Sequence, residues 1–326
     1  VNTLSAESAL ASEAPAIPGH GQSVLTADGV EVALRASVRS AAGAARAKRL
    51  GAASIGLVRT EFLEPEDNRK PDTGFYREAF DELLTAAAPL NVTLRLIDIA
   101  ADKLPAWMRS SGQRVSVLGR QGIRLFNDEP LRSVMSAQLD ALEETVKRER
   151  TRVLVPYITT LDEMREIRDL IRSRIDLPVG SMIETPAAAM EITGQLEIAD
   201  FVALGTNDLM QSLFAADRDD SALQHYLDAY APVLYCFLAQ IAKEAGDQLQ
   251  RVQICGLLSQ LPGVLPVMLG LGFRLFSVDA AYIPYLASTV RKTHVNEANA
   301  LAREVCRTKT SSAVRTLLGV DAAQPV

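Results

Sequence analysis

FVALGTND (Phe201–Asp208) is an apolar run of strand length that ends in polar side chains. Two other segments, VLVPYI (Val153–Ile158) and VQICG (Val252–Gly256), are also apolar almost throughout. Strands with two apolar faces are typical of a parallel sheet that helices cover on both sides. These three runs therefore predict an α/β fold with buried parallel strands.

Outward from these runs, the chain alternates between short apolar segments and helical segments from about residue 30 onwards. Eight such units in 326 residues favour a closed (β/α)₈ TIM barrel, a single domain with long βα loops, over an open doubly wound sheet. The predicted strands are Glu31–Ser37, Ala53–Arg59, Val92–Ile97, Arg152–Ile158, Pro178–Glu184, Phe201–Leu204, Arg251–Cys255 and Arg274–Val278.

The helical segments between the predicted strands carry one apolar face. Thr160 is a candidate N-cap, and Glu163 three residues later is its partner in a capping box. Another segment repeats apolar residues every three or four positions, which predicts a helix with one buried stripe. That stripe consists of Leu131, Val134, Met135, Leu139 and Leu142.

Two segments lie outside this alternation. Residues 1–22 are rich in Ala, Ser, Pro and Gly, as is typical of a linker, so we assign the barrel to residues 23–326. The connection Asp98–Pro130 is too long for an ordinary βα loop. Long loops of this kind usually carry function.

The composition excludes several classes of protein. The net charge is −6 and there is no stripe of Lys and Arg, which argues against a nucleic-acid partner. No segment reaches the ~20 apolar residues that cross a bilayer, so we expect no membrane partner. The three cysteines lack a C-x-x-C spacing, which indicates neither a disulfide framework nor a zinc site and fits a cytoplasmic protein.

Polar residues follow several predicted strands at the point where each strand ends. In a barrel these ends converge on one face, where active sites are built. The carboxylates of Glu184 and Asp208 are suitable ligands for Mg²⁺, and the guanidinium groups of Arg59 and Arg95 suit a phosphate or carboxylate. Singly, each has an ordinary interpretation, such as a helix cap or a surface ion pair. Their coincidence at strand ends favours a site.

Five motifs add a resemblance to a known family. In order and spacing they are similar to the C-terminal domain of the phosphoenolpyruvate-utilising enzymes, which include enzyme I of the sugar phosphotransferase system, phosphoenolpyruvate synthase and pyruvate phosphate dikinase. RLIDIAADK (Arg95–Lys103) is most similar to enzyme I, which has Gly-Gly in place of Ala100-Ala101. The motifs are GLVRTEFL (Gly56–Leu63), IETPAA (Ile183–Ala188), GTNDLMQ (Gly205–Gln211), AADR (Ala215–Arg218) and ICG (Ile254–Gly256).

The resemblance, which runs from about Gly29 to Leu318, implies a role for each matching residue. It implies phosphoenolpyruvate or pyruvate as the ligand, with Glu184 and Asp208 as ligands of Mg²⁺, or Mn²⁺ in its place. Arg59 and Arg95 match the arginines that hold the transferring phosphoryl group. Further contacts to the substrate's carboxylate and phosphate oxygens are implied for Asn207 and Arg218.

Two catalytic residues are also implied by the resemblance. Lys103 matches a lysine beside the reacting atoms, and Cys255 matches the acid that protonates the enolate carbon to give pyruvate. Mg²⁺ would stabilise the charge on the enolate oxygen, and a thiol directed at the methylene carbon would supply the proton.

The chain departs from the family pattern at three places. Gln121 stands where another phosphate-binding arginine is expected. Arg120 and Arg124 are the candidates to replace it, and we carry Arg124 forward as a substrate-binding residue. Leu257 replaces the glutamate that follows Cys-Gly in the family, and Asp279 replaces a serine near the last strand. These departures indicate altered contacts to a phosphate.

The phosphoryl acceptor is expected outside this sequence. The family passes the phosphoryl group through a histidine in a T-x-H-T-type motif on a separate domain. None of His20, His225 and His294 lies in such a motif. We therefore expect a phosphohistidine-carrying domain or protein as a partner, and a homodimer as the assembly.

Three functions fit these observations. The first is the phosphoenolpyruvate-binding barrel of a phosphotransferase. The second is a repurposed Mg²⁺-dependent enzyme that enolises pyruvate or joins it to another molecule. The third is a non-catalytic module that senses phosphoenolpyruvate and dimerises.

Overall fold

The computed structural model describes residues 17–99, 104–109, 116, 119–145 and 150–320. The strands in this part of the chain are β1 (Val24–Leu25), β2 (Glu31–Val38), β3 (Ile55–Arg59), β4 (Val92–Arg95), β5 (Thr151–Ile158), β6 (Val179–Ile183), β7 (Phe201–Gly205), β8 (Val252–Cys255) and β9 (Leu275–Asp279).

Eight of these strands, β2 to β9, form one closed sheet. They pair in parallel in chain order, and β9 pairs back to β2 through Ala33↔Leu275 and Ser37↔Asp279. This closure makes a (β/α)₈ barrel. The short strand β1 pairs antiparallel with β2.

The TIM-barrel prediction is confirmed, and each of the eight predicted strands overlaps one barrel strand. Their ends differ by at most two residues, because the hydrogen-bonded ladder stops where neighbouring strands diverge. Strand β1 was not predicted, since two residues are too few to show an apolar period. The segment at residues 18–22 lies against the barrel through the Gly21 N–H, which donates to the Ala52 carbonyl at 3.0 Å.

The helices surround the barrel as predicted. The stripe of helix Leu131–Glu144 is buried, and the capping box of Thr160 and Glu163 is present at the start of helix Leu161–Arg174. The described part of the chain contains no helix with the length and apolarity to span a membrane. The other α-helices are Ala41–Arg49, Thr73–Ala87, Ala106–Arg109, Pro186–Met190, Ile192–Ile198, Thr206–Phe214, Pro232–Ala245, Val264–Gly270, Ile283–Lys292, Val295–Arg307 and Ser311–Leu317.

The apolar interior consists of two separate parts. The larger part fills the space between the strands and the surrounding helices. The smaller part consists of Leu57, Leu154, Met182, Phe201, Ala203 and Cys255, all on strands and separate from the helix-facing core, so it fills the inside of the barrel. Cys255 ends β8 and therefore lies at the upper, C-terminal edge of this inner cluster.

Candidate active site

A cavity of about 310 Å³ opens at the C-terminal ends of the barrel strands. Residues that end or follow β2, β3, β4, β6, β7, β8 and β9 line it, so the barrel brings together residues from Ser37 to Asp279. Seven of the nine residues proposed from the sequence line this cavity. They are Arg59, Arg95, Glu184, Asn207, Asp208, Arg218 and Cys255.

Glu61 organises the two arginines that were predicted to hold a phosphoryl group. Its Oε1 accepts hydrogen bonds from Arg59 Nε at 2.9 Å and from Arg95 Nη2 at 2.7 Å. Burial would raise the pKa of Glu61, but Arg95 and Arg59 hold it below its ordinary value. Arg95 is 5% exposed and also pairs with Asp98 at 2.8 Å. The carboxylates thus fix both guanidinium groups in the wall of the cavity.

Glu184 is a buried carboxylate without an ion pair among the described residues. It directly follows β6 and is 1% exposed, and its Oε2 accepts the Tyr157 N–H at 3.0 Å. Tyr157 has a φ of +56°, a left-handed conformation that aims its N–H into the site. Burial raises the pKa of Glu184 well above its ordinary value, and Asp208 and Asp98 raise it further.

Asp208 is a second acidic side chain that lines the cavity together with Glu184. It lies in the first turn of helix Thr206–Phe214, and its Oδ2 accepts a hydrogen bond from Arg218 Nη1 at 3.0 Å. Burial raises the pKa of Asp98, and the negative charges of Glu61 and Asp208 contribute to the increase although Arg95 opposes it. Neighbouring negative charges thus raise the pKa of both Asp98 and Glu184, and such a group of carboxyl side chains suits a bound cation.

The donor set fits Mg²⁺ in a specific way. Within the described ranges, no three His, Cys, Asp or Glu side chains form a ready-made metal site. Mg²⁺ usually takes one or two carboxylates and completes its octahedron with substrate oxygens and water. Glu184 and Asp208 match that pattern, and among the described residues Glu184 forms no salt bridge although the Arg95 charge acts on it.

Unsatisfied polar atoms point to a polar occupant of the cavity. Glu61 Oε2, Arg95 Nε and Ser277 Oγ are buried and have no hydrogen-bond partner in the part of the chain that the structure describes, and all three residues line the cavity. A buried polar atom without a partner costs about 1–3 kcal/mol. A ligand or water that supplies these partners would remove that cost.

Cys255 is a buried thiol at the floor of the cavity. It is 1% exposed, and its Sγ accepts a hydrogen bond from Gln253 Nε2 at 3.1 Å. Burial raises the pKa of Cys255 to about 11, although the hydrogen bond from Gln253 partly opposes this. The thiol is therefore protonated at neutral pH, as a proton donor must be before it acts.

Asn207 is held by the loop after β8. Its Oδ1 accepts the Leu257 N–H at 3.1 Å, which leaves its side-chain NH₂ to donate to a ligand. Gly256 makes this contact possible, because it has a φ of +106° and a Cβ there would lie 2.8 Å from Asn207 Oδ1. Leu257 is 62% exposed at the mouth of the cavity.

The sequence analysis did not identify Arg39 as a site residue. Arg39 lines the cavity, and its guanidinium lies 5.0 Å from the centre of the Phe62 ring, with the Arg59 guanidinium 4.7 Å from the same centre. The predicted first strand ended at Ser37, two residues before Arg39. The rule that identified Arg59 at the end of its strand could have identified Arg39.

One proposed residue that the structure describes, Arg124, does not line the cavity. Arg124 pairs with Glu163 at 3.1 Å, and its guanidinium lies 5.9 Å from the centre of the Tyr157 ring. It lies on a 3₁₀-helix, Gly122–Asn127, with buried Gln121 just before it. Neither is among the cavity-lining residues, and the substrate-binding role of Arg124 stays a prediction. Lys103 lies outside the described residues.

We expect Arg95→Met to destabilise the protein by about 3–5 kcal/mol, because it leaves Asp98 without its cation and Glu61 with Arg59 alone in a largely buried network. Denaturant unfolding followed by circular dichroism measures this change. Arg77→Met is the matched control, since the Arg77–Glu144 pair is exposed and such pairs contribute about 0–1 kcal/mol. Equal midpoints for Arg95→Met and the wild type would contradict the expectation.

Comparison with known proteins identifies the family. The model of a family described as "PEP-utilising enzyme, PEP-binding domain" matches residues 19–295. Phosphoenolpyruvate-protein phosphotransferase of Streptomyces coelicolor is 31% identical over 271 residues, which are 82% of this chain and 48% of that protein. The protein of the same name from Haloferax volcanii is 30% identical over 314 residues, 92% of this chain and 55% of its own.

A third relative has a lower identity to this chain. Multiphosphoryl transfer protein 1 of Escherichia coli is 26% identical over 303 residues, which are 89% of this chain and 36% of that protein. The chain spans about half the length, or less, of the curated relatives that it matches. With its barrel, its motifs and these matches, the chain belongs to the phosphoenolpyruvate-utilising enzymes, and residues 19–295 match the phosphoenolpyruvate-binding domain of that family.

Proposed function

We propose that this chain binds phosphoenolpyruvate together with Mg²⁺ and serves phosphoryl transfer to a histidine on another domain or protein. One observation carries the proposal: the Arg59–Glu61–Arg95 network shares a cavity with Glu184, a buried carboxylate that has no ion pair among the described residues. Phosphoenolpyruvate is a trianion, so its binding needs both the arginine network and a cation beside Glu184. The guanidinium groups bind its phosphoryl oxygens, and a cation between ligand and Glu184 removes the repulsion.

Each side chain then has a separate task. Arg59 and Arg95 orient the phosphoryl group and stabilise its charge as it leaves the enol oxygen. Glu184 and Asp208 would hold Mg²⁺, which supplies the positive charge that stabilises the enolate oxygen. Arg218 and the NH₂ group of Asn207 position the carboxylate. Cys255 delivers its thiol proton to the methylene carbon, which converts the enolate into pyruvate.

A second candidate function is enolisation of pyruvate without phosphoryl transfer. It is favoured by the apolar Leu257 at the mouth and by the absence of Gln121 and Arg124 from the cavity lining. These two features reduce the contacts available to a phosphate, and they do not alter Cys255 or the proposed cation ligands Glu184 and Asp208. Proton exchange at the pyruvate methyl group in D₂O supports a working Cys255 under both candidates. Transfer of phosphate from phosphoenolpyruvate to an added histidine-carrying protein distinguishes them.

Titration calorimetry tests the ligand and metal together. We expect phosphoenolpyruvate to bind in millimolar Mg²⁺ or Mn²⁺ and to lose most of its affinity in chelator, because the carboxylates otherwise repel it. Pyruvate is the control ligand that lacks the phosphoryl group, and it should bind more weakly than phosphoenolpyruvate. Equal affinity for phosphoenolpyruvate with and without the metal would reject the proposed cation site. The homodimer and the cytoplasmic location stay predictions.

A further inference from the structure

Two cysteines meet on the outer surface of the protein, away from the residues of the proposed function. Cys236 lies on helix Pro232–Ala245, and Cys306 lies in the last turn of helix Val295–Arg307. The Cys236 thiol donates to the backbone oxygen of Cys306 at 3.3 Å, so the two cysteines are direct neighbours across these helices. Both are free thiols; Cys236 is exposed and Cys306 is half-buried.

A groove of about 490 Å³ gives access to this pair. Both cysteines line it, together with the edge of helix Pro232–Ala245 and the segment at residues 308–311. Lys309 lines the same groove, and its positive charge suits an anionic reagent. A small charged reagent can therefore reach the sulfur of Cys236 from solvent.

We propose that Cys236 and Cys306 are a reactive dithiol that forms a reversible disulfide by exchange with a small-molecule disulfide of the glutathione class. The Cys236 thiolate attacks one sulfur of the small disulfide, and a mixed disulfide forms as the first small thiolate leaves. The Cys306 thiol then loses its proton to water and attacks the Cys236 sulfur. The second small thiolate leaves, so two protein thiols are oxidised and one small disulfide is reduced.

The order of the two attacks follows from the surroundings of each sulfur. Cys236 is exposed and meets the reagent first. Burial, together with the adjacent Cys236, raises the pKa of Cys306 to about 12, so little Cys306 thiolate is present to attack a reagent in solution. Once Cys236 carries the mixed disulfide, Cys306 is its direct neighbour, because Cys236 Sγ lies 3.3 Å from the Cys306 backbone oxygen. Proximity then compensates for the small thiolate fraction.

The crosslink would close a loop that contains the last part of the barrel. Strands β8 and β9 lie between Cys236 and Cys306 in the chain, and they carry Cys255 and Asp279 of the cavity. A disulfide stabilises a protein mainly by restricting its unfolded chain, more so for a long loop. We therefore expect the oxidised protein to unfold at a higher temperature than the reduced protein.

The test uses the 326-residue chain and glutathione disulfide as the reagent. After acid quenching and alkylation, peptide mapping without reductant should find a linked peptide that contains Cys236 and Cys306. Cys255, 1% exposed, should be alkylated only after denaturation. The unfolding temperature should rise on oxidation and return with a reductant. Recovery of both thiols in alkylated form, or of Cys236 only as a stable mixed disulfide with glutathione, would overturn the proposal.

Two single variants separate the roles of the thiols. Cys306→Ser should accumulate the mixed disulfide on Cys236, because the second attack is missing. Cys236→Ser should leave Cys306 largely unmodified under the same conditions. Neither variant should show the oxidation-dependent rise in unfolding temperature. Rapid modification of Cys306 in Cys236→Ser would contradict the assigned order, and an undiminished thermal shift in either variant would assign that shift to another site.

Discussion

Cys255→Ser should reduce proton exchange at the methyl group of pyruvate by about 10²–10⁴-fold, the usual contribution of a positioned general acid. The measurement is proton NMR of pyruvate in D₂O with the protein and Mg²⁺. A serine hydroxyl is a far weaker acid than even the Cys255 thiol, whose pKa burial raises to about 11. The same variant should still bind phosphoenolpyruvate, because serine is close in size and the Arg59–Glu61–Arg95 network is untouched.

The two measurements distinguish a catalytic thiol from a packed core cysteine. A core cysteine changed to serine would lose some stability while exchange continued near the wild-type rate, and that result would reject the proton-donor role. Cys306→Ser is the matched control, because it makes the same chemical change outside the cavity. It should exchange pyruvate protons as the wild type does.

Glu184→Gln and Asp208→Asn should each weaken Mg²⁺-dependent binding of phosphoenolpyruvate by at least about 100-fold. Loss of a partner in the outer shell of a metal site already costs about 10–100-fold, and these side chains would contact the ion directly. The Glu184 change also removes a buried carboxyl group that resists ionisation, so the folded protein should remain intact by circular dichroism. Wild-type affinity in both variants would place the cation elsewhere.

A steric variant tests the position of Glu184 without altering its charge. In Gly205→Ala, the new Cβ would lie 2.6 Å from both Cγ and Oε1 of Glu184, so the carboxylate must move. We expect the metal-dependent part of the binding energy to fall by a large fraction. Gly74→Ala is the matched control, since its Cβ would meet only Asp72 Oδ1 at 3.5 Å, an ordinary contact at the start of a distant helix.

The sequence identified the barrel and much of the cavity because both depend on local patterns. A buried parallel strand appears in the sequence as an apolar run, and the barrel brings the residues that follow each run to one face. Arg59, Glu184 and Asp208 were found by this rule alone. The rule does not state which side chains pair, so it did not predict that Glu61 holds both Arg59 and Arg95.

Other features depend on geometry that a linear pattern does not contain. Arg124 was proposed as a replacement for the arginine missing at Gln121, but a 3₁₀-helix rather than a strand sets its direction, and Glu163 is its partner. Arg39 was missed because the predicted strand stopped too early. The left-handed backbone conformation of Tyr157 could not be predicted from the sequence either, because tyrosine has no preference for that conformation.

Closure of the barrel through β2 and β9 has a consequence for the synthesis of the chain. Strand β2 emerges from the ribosome early, but its partner β9 ends only at Asp279. Until then one edge of β2 lacks its final neighbour, and such an edge can pair with other chains. Nearly the whole domain must therefore be translated before the cavity exists. A chaperone that shields unpaired strands would therefore act longest on β2.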